Sequence, residues 1–357
     1  MTHLEKLKAA LGGQNPDAVI ITSEVNQRYI SNFPFTDGYV LVTRGESYLV
    51  TDFRYTEAAK AQSDKGLNVV APGAMLGFIS DKLAENGCKS VGYEEATLAC
   101  AQLDRMKSII PDVEFVAGAS ALIDGLREFK DEDELKYTAQ AQDIADAAFE
   151  HIIKFIKPDM TELEVALELE FFMRRHGAEG VAFETIAVSG SASSMPHGVP
   201  RPVKLEKGFL TMDYGARVNG YCSDMTRTVV LGKADADMKK LYDTVLKAQL
   251  AALEVIEEGA DCRGVDKVAR DIIYGAGYEG CFGHGLGHGV GMYIHEAPRL
   301  SQGAKEGAKL IDGQIVTVEP GIYIEGKYGC RIEDMVCVKP GGKHNFTHSP
   351  KEMIELF

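Results

Sequence analysis

Four acidic residues stand in segments of the sequence that are otherwise apolar. Asp213 and Asp224 flank Asn219-Gly220, a dipeptide that strongly favours a two-residue hairpin turn. With that turn, Asp213 faces Thr226 across the hairpin, and the two aspartates lie on the same sheet face as diagonal neighbours. Like charges placed this way repel each other, so the pattern predicts that a cation lies between them.

A second hairpin repeats this arrangement further along the chain. Residues 314–324 are nearly all apolar except Glu319, and residues 329–338 carry Glu333 among apolar neighbours. A three-residue loop at 325–327 makes Glu319 face Glu333 directly, whereas a slip of one residue would put them on opposite faces. Burying lone carboxylates is costly, and burying four is untenable unless cations compensate their charge.

Three of the nine histidines fall within residues 283–296, separated by glycines that let the backbone approach a ligand closely. They are His284, His288 and His295, and their spacing fits neither a dinucleotide-binding fingerprint nor an H-E-x-x-H zinc motif. Carboxylates with one imidazole suit Mn²⁺, Co²⁺ or Zn²⁺. Four carboxylates supply enough charge for two divalent ions. His197 lies upstream of the first hairpin, and its local context alone assigns it no role.

The elements that must position these residues form two predicted domains. Strands alternating with helices such as 74–86 indicate a small α/β domain that ends at Gly125. Its strands are predicted at residues 17–23, 39–51 (two strands about a turn), 67–70, 90–93 and 114–116. Beyond it, helices are predicted at 133–157, from a Thr161–Glu164 capping box to about 177, and at 235–258 and 264–274. Helices with antiparallel hairpins indicate an α+β domain over residues 126–357.

Composition excludes several classes of partner. The 357 residues suit two domains, and the net charge of −15 disfavours binding to nucleic acid or to an anionic membrane. The seven cysteines form no C-x-x-C pair, which predicts reduced thiols. No apolar run has the length of a membrane span, and the N-terminus lacks the apolar core of a secretion signal. We therefore expect a soluble cytoplasmic protein.

The order of the motifs resembles that of the pita-bread metallopeptidases, and within them the proline-specific branch, prolidase and aminopeptidase P. The motifs, which cover roughly residues 130–357, are Met-Asp213-Tyr-Gly, Ser-Asp224-Met-Thr-Arg, Gly-His288-Gly-Val-Gly, His295-Glu-Ala-Pro, Val-Glu319-Pro-Gly-Ile-Tyr and Arg-Ile-Glu333-Asp. The Thr-Asp-Phe-Arg-Tyr segment at 51–55 is similar to the creatinase-like N-terminal domain of that branch. The resemblance implies an α+β protein: a small creatinase-like α/β domain at 1–125, then a pita-bread catalytic domain at 126–357 with a curved antiparallel sheet.

The resemblance also implies a role for each matching residue. Two divalent ions, expected to be Mn²⁺ with Co²⁺ or Zn²⁺ as alternatives, would be bound by Asp213, Asp224, His288, Glu319 and Glu333. In this scheme Asp224 and Glu333 bridge both ions. The catalytic residues would be His197, His295 and Glu319, and the substrate-binding residues His284, Arg299, Tyr323 and Arg331. The expected partners are small proline-containing peptides and a second copy of the chain in a homodimer.

Several activities remain open at the level of the sequence. We expect hydrolysis of Xaa-Pro bonds, by an Xaa-Pro dipeptidase (prolidase) rather than an aminopeptidase P. A methionine aminopeptidase shares the five ligands, but typically lacks the Val-Glu-Pro-Gly-Ile-Tyr and Arg-Ile-Glu-Asp forms. A creatinase-like hydrolase and a non-catalytic peptide-binding relative of this fold also remain open. Creatinase and the non-catalytic relatives have lost metal ligands, whereas all five are present here.

Overall fold

The computed structural model describes residues 1–13 and 15–357, which divide into two compact units, Met1–Arg127 and Glu128–Phe357. The elements of the first unit are α1 (His3–Ala10), β1 (Ala18–Ile21), α2 (Glu24–Ser31), β2 (Gly38–Thr43), β3 (Ser47–Thr51), α3 (Phe53–Gln62), β4 (Leu67–Val70), α4 (Met75–Glu85), β5 (Ser90–Gly92), α5 (Cys100–Ile109), β6 (Glu114–Val116) and α6 (Ala119–Arg127). All the strands predicted here are confirmed.

The strands of the first unit form one mixed sheet in the order β4-β3-β2-β1-β5-β6. The central strands β1, β2 and β3 are antiparallel, and β4, β5 and β6 join them in parallel pairs. Parallel pairs require crossover connections, and helices supply these. The unit is therefore a small α/β domain, as its alternation of elements predicts.

The second unit consists of helices and mostly antiparallel strands. Its elements are α7 (Glu132–Phe155), α8 (Glu162–Arg175), β7 (Gly180–Val181), β8 (Ile186–Ser189), β9 (Gly208–Tyr214), β10 (Ala216–Val218), β11 (Tyr221–Cys222), β12 (Met225–Leu231), α9 (Ala236–Glu254), α10 (Cys262–Gly275), β13 (Gly287–Gly289), β14 (Glu296–Leu300), β15 (Ile315–Val318), β16 (Gly321–Ile324), β17 (Tyr328–Arg331), β18 (Asp334–Lys339), β19 (Gly342–Asn345) and β20 (Glu355–Leu356). The predicted capping box of α8 is present, because Thr161 and Glu164 bond reciprocally.

Two larger sheets contain or adjoin the five predicted metal ligands. Strands β20-β12-β9-β8 form one sheet and β14-β13-β15-β18-β19 the other. Met212 and Tyr214 pack in the core with α7 and α8, while Val318 and Ile332 pack in the core with α9 and α10. Alternate side chains of a strand point to opposite faces, so the acids next to these core residues lie on the faces away from the helices.

The first hairpin has the predicted register. Asn219 and Gly220 form its turn with positive φ angles of 48° and 90°, as a type I′ turn requires. Val218 pairs with Tyr221, and further along Asp213 pairs with Thr226. The turn therefore fixes which face of β9 the aspartate occupies.

The second hairpin keeps its predicted register but is not continuous. Val318 pairs with Asp334 and Gly321 pairs with Arg331, so Glu319 and Glu333 are opposite each other between the two paired segments. Residues 314–324 form two strands, β15 and β16, because Pro320 between them has no N–H to donate. The Glu319 N–H donates instead to Leu286 O at 2.8 Å, and the Glu333 N–H donates to Thr226 O at 3.1 Å. The hairpin thus opens where it carries its two carboxylates.

None of the helices among the described residues combines the length and apolar character needed to cross a bilayer. All seven cysteines are free thiols, five of them buried, as the absence of a C-x-x-C pair predicts.

Candidate metal centre

One cavity of 610 Å³ in the second unit brings the predicted residues together. All of them except Tyr323 line its wall: His197, Asp213, Asp224, His284, His288, His295, Arg299, Glu319, Arg331 and Glu333. Tyr323 lies just behind that wall, with its hydroxyl 2.7 Å from Arg331 Nη1 and 3.0 Å from His284 Nε2. Residues more than 130 positions apart in the chain therefore share one concave site.

The five predicted metal ligands lie in strands of the two large sheets or directly beside them. Ligand atoms of Asp224, His288 and Glu333 all lie within 4.8 Å of one another. His288 Nε2 is 3.3 Å from Glu319 Oε1 and 3.6 Å from Asp224 Oδ2. Asp213 stands near the end of β9 in the same cavity wall. Each side chain is held at the end of a strand or beside it, where backbone hydrogen bonds fix its position.

The carboxylates of the cavity lack sufficient compensation from the protein. Asp213 Oδ1 and Glu333 Oε1 are buried and have no hydrogen-bond partner among the described residues. The other oxygen of Asp213 accepts a hydrogen bond from Arg331 Nη2 at 2.6 Å, and that of Glu333 accepts one from Thr226 Oγ1 at 2.7 Å. Four carboxylates and one guanidinium leave the cluster strongly negative.

Burial and mutual repulsion raise the pKa values of most of these carboxyl groups. Burial raises the pKa of Asp224 well above its usual range, and the charges of Glu333 and Asp213 raise it further. Burial and then the charge of Glu319 do the same to the pKa of Glu333. Burial acts in the same direction on Glu319, but the hydrogen bond and charge of His288, together with the charges of His284 and Arg331, outweigh it and lower the pKa of Glu319. Additional positive charge would therefore favour the ionised forms of Asp224 and Glu333.

This donor set fits divalent cations. Two buried carboxylate oxygens without a partner face a cavity that also presents a buried imidazole. Carboxylates with an imidazole are ligands that hard and borderline divalent ions prefer. If these two carboxylate oxygens had only a structural role, the protein would supply hydrogen-bond donors to them, as it does for most buried polar atoms. The observed arrangement is therefore that of a metal site.

A chain of polar contacts lies beside the carboxylates. Arg331 joins Asp213 to the Tyr323 hydroxyl, and that hydroxyl contacts His284. Burial raises the pKa of Tyr323 to about 12, so the phenol stays protonated at neutral pH. Burial lowers the pKa of His284. This side of the cavity therefore offers hydrogen-bond donors next to the acidic cluster.

Three further predicted residues stand at the mouth of the cavity, where the side chains of His197, His295 and Arg299 are exposed to solvent. The rings of His295 and His288 meet edge to face with centroids 4.4 Å apart. Burial of part of the ring, followed by repulsion from His288 and Arg299, lowers the pKa of His295. These groups can contact a bound substrate without leaving the wall.

A buried ion pair secures the turn that ends at His295. Lys130 Nζ lies 3.1 Å from Glu296 Oε2, and both side chains are almost completely buried. The other oxygen of Glu296 accepts a hydrogen bond from the Tyr293 N–H at 3.1 Å. This pair fixes the backbone on both sides of the histidine.

The sequence analysis missed some residues that complete the cavity. Phe183, Glu184, Ile186, Ile294 and Ser301 also line it. Thr226 was predicted only as the cross-strand partner of Asp213, yet its hydroxyl bonds Glu333 and accepts from Arg331 Nε at 3.0 Å. The available signal for this role was the position of Thr226 opposite Asp213, a predicted metal ligand. The wall residues carry no comparable signal, because they are ordinary apolar and polar residues between two strands.

Two known protein families match this chain, one for each unit. Metallopeptidase family M24 matches residues 136–340, and the creatinase/prolidase N-terminal domain matches residues 3–129. The two units are therefore a creatinase-type N-terminal domain and a pita-bread catalytic domain, which confirms the predicted fold class. The chain belongs to metallopeptidase family M24.

Relatives of the whole chain share this organisation. An Xaa-Pro dipeptidase of Pyrococcus horikoshii is 38% identical over 342 residues, which cover 95% of this chain and 94% of the relative. The solved structure of an Xaa-Pro dipeptidase from Bacillus anthracis is 42% identical, with a TM-score of 0.94 and 99% of each chain covered. The X-Pro aminopeptidase structure from Thermotoga maritima is 34% identical, with a TM-score of 0.92 over 98% of this chain and 99% of that one. Both named activities thus occur on closely similar folds.

Proposed function

We propose that this chain hydrolyses the peptide bond before proline and that it is an Xaa-Pro dipeptidase, with residues 126–357 as its catalytic domain. The observation that carries the proposal is the buried cluster of under-compensated carboxylates around His288, which shares one cavity with Arg299. The relatives named Xaa-Pro dipeptidase support the substrate class. The resemblance of the motifs to the proline-specific branch supports it independently.

The metal ligands in this proposal are Asp213, Asp224, His288, Glu319 and Glu333. They would hold two divalent ions, and Mn²⁺ suits a set of mostly oxygen donors. When bound, such ions supply Lewis acidity toward a carbonyl group and toward water. The seven free cysteines support a reducing, cytoplasmic location. A homodimer is proposed from the family resemblance.

The protein's own groups have separate tasks in this proposal. Glu319 stays ionised because His288 stabilises its charge, so it can accept a proton from water and deliver it to the leaving nitrogen. The exposed imidazoles of His197 and His295 can donate hydrogen bonds to the carbonyl oxygen as negative charge develops there. The proline nitrogen of this bond carries no hydrogen, so the site needs no hydrogen-bond acceptor at that nitrogen.

Arg299 supports a dipeptide rather than a longer peptide as the preferred substrate. Its guanidinium lines the mouth of the cavity, and no carboxylate of the described residues pairs with it. A free proline carboxylate would give it an ion pair with two parallel hydrogen bonds. An Xaa-Pro-Xaa peptide replaces that carboxylate with an amide and loses the pairing. Aminopeptidase P activity is the second candidate, because the similar Thermotoga maritima structure bears that name.

The decisive experiment compares Ala-Pro with Ala-Pro-Ala for the Mn²⁺-loaded protein and for Arg299→Gln and Arg299→Lys. We expect kcat/KM of the wild type to favour Ala-Pro. Arg299→Gln should reduce kcat/KM for Ala-Pro by about tenfold or more, mainly through KM, since it removes a charge-assisted pair. Arg299→Lys should recover part of the loss.

Three results would contradict the proposal at different levels. Faster hydrolysis of Ala-Pro-Ala, together with no effect of Arg299→Gln on Ala-Pro, would favour aminopeptidase P. Hydrolysis of Met-Ala-Ser or creatine with neither proline peptide cleaved would reject Xaa-Pro specificity itself. Absence of any hydrolysis after loading with Mn²⁺ or Co²⁺ would favour a non-catalytic binding protein.

A further inference from the structure

A bulge interrupts the sheet next to the metal centre. Ile186 of β8 pairs with Asp213, while the Ala182 N–H donates to Gly215 O at 2.8 Å. Three residues, 183–185, therefore lie opposite the single residue Tyr214. Bulges of this kind bend a strand and redirect its side chains, and they are frequent beside active sites.

The bulge places an exposed carboxylate, that of Glu184, in the wall of the cavity. Phe183 and Glu184 line the cavity together with Ile186, whereas Thr185 between them is buried. The Glu184 side chain is exposed, and the structure records no hydrogen bond or ion pair between it and the described residues. Unlike the carboxylates of the metal centre, it is solvated and belongs to no cluster of acids.

The position of Glu184 limits what it can contact. Ile186 stands level with Asp213, and Glu184 lies two residues before it within the bulge, toward the level of Gly215. Its side chain is exposed, whereas Asp224 and Glu333 of the metal centre are buried, so Glu184 lies further toward solvent than they do. The amino nitrogen of a dipeptide is only about 2.5 Å from the carbonyl carbon to be attacked, as standard bond lengths and angles require. A lysine or arginine side chain reaches about 6 Å beyond its Cα, as the same bond lengths give. Glu184 therefore matches the end of a long side chain better than the backbone amino group.

We propose that Glu184 is a specificity-determining residue that favours a cationic side chain, lysine or arginine, immediately before the proline. This inference rests on the proposed function. Phe183 and Ile186 would contact the aliphatic stem of that side chain, since both line the cavity on either side of Glu184 in the sequence. The carboxylate would then receive the ammonium or guanidinium group at the mouth.

The test measures the ratio of kcat/KM for Lys-Pro to that for Met-Pro, because methionine matches the length of the lysine stem without its charge. We expect this ratio to fall about fivefold in Glu184→Gln, the scale of a partly exposed ion pair. Arg-Pro should behave like Lys-Pro. Glu184→Lys should reverse the preference, so that the ratio of Glu-Pro to Met-Pro rises. Added salt should reduce the wild-type ratio.

Glu254→Gln is the matched control, because Glu254 is an exposed glutamate at the end of α9 and the substitution changes the net charge equally. It should leave the Lys-Pro to Met-Pro ratio unchanged. The exposed position of Glu184 makes its variants tolerable for folding, which circular dichroism checks directly.

Three outcomes would overturn the inference. If Glu184→Gln lowers kcat/KM equally for Lys-Pro and Met-Pro, the carboxylate contacts the amino group common to all dipeptides. If neither value changes, Glu184 has no part in recognition. If the Mn²⁺-loaded wild type cleaves no Xaa-Pro peptide, the proposed function fails together with the inference, and this result differs from the other two.

Discussion

Glu333 and Asp334 are consecutive residues, and both are buried, yet their surroundings are opposite in kind. Asp334 accepts hydrogen bonds from Arg227 Nη2 at 2.9 Å, Lys351 Nζ at 2.6 Å and Asn345 Nδ2 at 2.8 Å. Burial opposes ionisation, but these cations outweigh it and lower the pKa of Asp334. Among the described residues, Glu333 has one side-chain donor, Thr226, and its other carboxylate oxygen has no partner; burial and the charge of Glu319 raise its pKa.

The comparison separates two uses of a buried carboxylate. Strand alternation turns Asp334 toward cations supplied by the chain and Glu333 toward the cavity. A carboxylate with all its partners present stabilises the fold and is complete without a ligand. A carboxylate without them costs free energy until a cation arrives. Burial alone therefore does not identify a functional acid, whereas burial without compensation does.

The largest expected effect is a loss of stability when a cation that pairs with Asp334 is removed. Arg227 donates to Asp334 and to the carbonyl oxygens of four residues: Thr226, Glu333, Ser349 and Pro350. Arg227→Met should lower the free energy of unfolding by about 3–5 kcal/mol, because it removes one partner of a buried ion pair. Urea denaturation of the metal-free protein measures this. Arg175→Met, at an exposed position of α8, is the control. A loss below about 1 kcal/mol would show that the pair is not needed for the fold.

Substitution of Glu333, which lacks such cations, should lower catalytic activity rather than stability. Glu333→Gln should lower kcat/KM for Ala-Pro at least about 100-fold, since even residues that support metal ligands cost 10–100-fold. The same variant should leave the metal-free protein as stable as the wild type or more so, because it removes a buried charge. Elemental analysis and urea denaturation check both statements. Two tightly bound ions per chain with full turnover in this variant would exclude Glu333 as a ligand.

Glu162 is a second buried carboxylate with partners supplied by the chain, and it predicts how stability depends on pH. Glu162, at the start of α8, accepts hydrogen bonds from Ser189 and Arg201. Burial opposes its ionisation, but the bonds from Arg201 and Ser189 outweigh this and lower the pKa of Glu162. Glu162→Gln should cost about 1–3 kcal/mol at neutral pH.

The sign of the pH dependence follows from that lowered pKa. The unfolded chain binds more protons near its Glu pKa of about 4.3, so the stability due to Glu162 is present above this pH. It is lost as the pH falls through the lower pKa of the folded state. Urea midpoints of wild type and Glu162→Gln should therefore converge in acid. A difference that grows as the pH falls would contradict the assigned direction.

The smallest expected effect concerns the hydroxyl that supports Glu333. Thr226→Val should weaken Mn²⁺ binding about tenfold, because the threonine orients a ligand without binding metal itself. Calorimetric titration with Mn²⁺ measures the change. Thr228→Val, two residues further on β12, removes a buried hydroxyl that contacts Thr211 and Arg331 O but no ligand side chain. It should match Thr226→Val in stability loss and leave Mn²⁺ affinity unchanged.

Much of the site was predictable because turn chemistry fixes strand register. The Asn219-Gly220 turn and the three-residue loop at 325–327 determined which residues face each other, and acids in apolar strands stood out against their neighbours. The roles assigned to Arg299, His197 and His295 came from family resemblance, and they stay predictions. The structure adds that these three side chains line the same cavity as the acids.

Other features were not predictable from local sequence. Pro320 accounts for the break in the second hairpin, but the groups that then accept from Glu319 and Glu333, Leu286 O and Thr226 O, are distant in sequence and no local pattern reveals them. Helix α2 was not predicted, because its buried face includes Asn26 and Gln27 and therefore lacks apolar periodicity. Asn26 is satisfied there by Glu94, 2.7 Å away and 68 positions later in the chain. Contacts distant in sequence decide both cases.

The opening of the second hairpin makes the metal centre a junction between the two large sheets. Asp213 belongs to the sheet containing β9 and β12, and His288 to the sheet containing β13 and β15. Ions held by both sets of ligands would act as a cross-link, since binding only the assembled form favours it by mass action. Loading with metal should therefore slow amide hydrogen exchange in both sheets together. The same ions would then both stabilise the second unit and make it active.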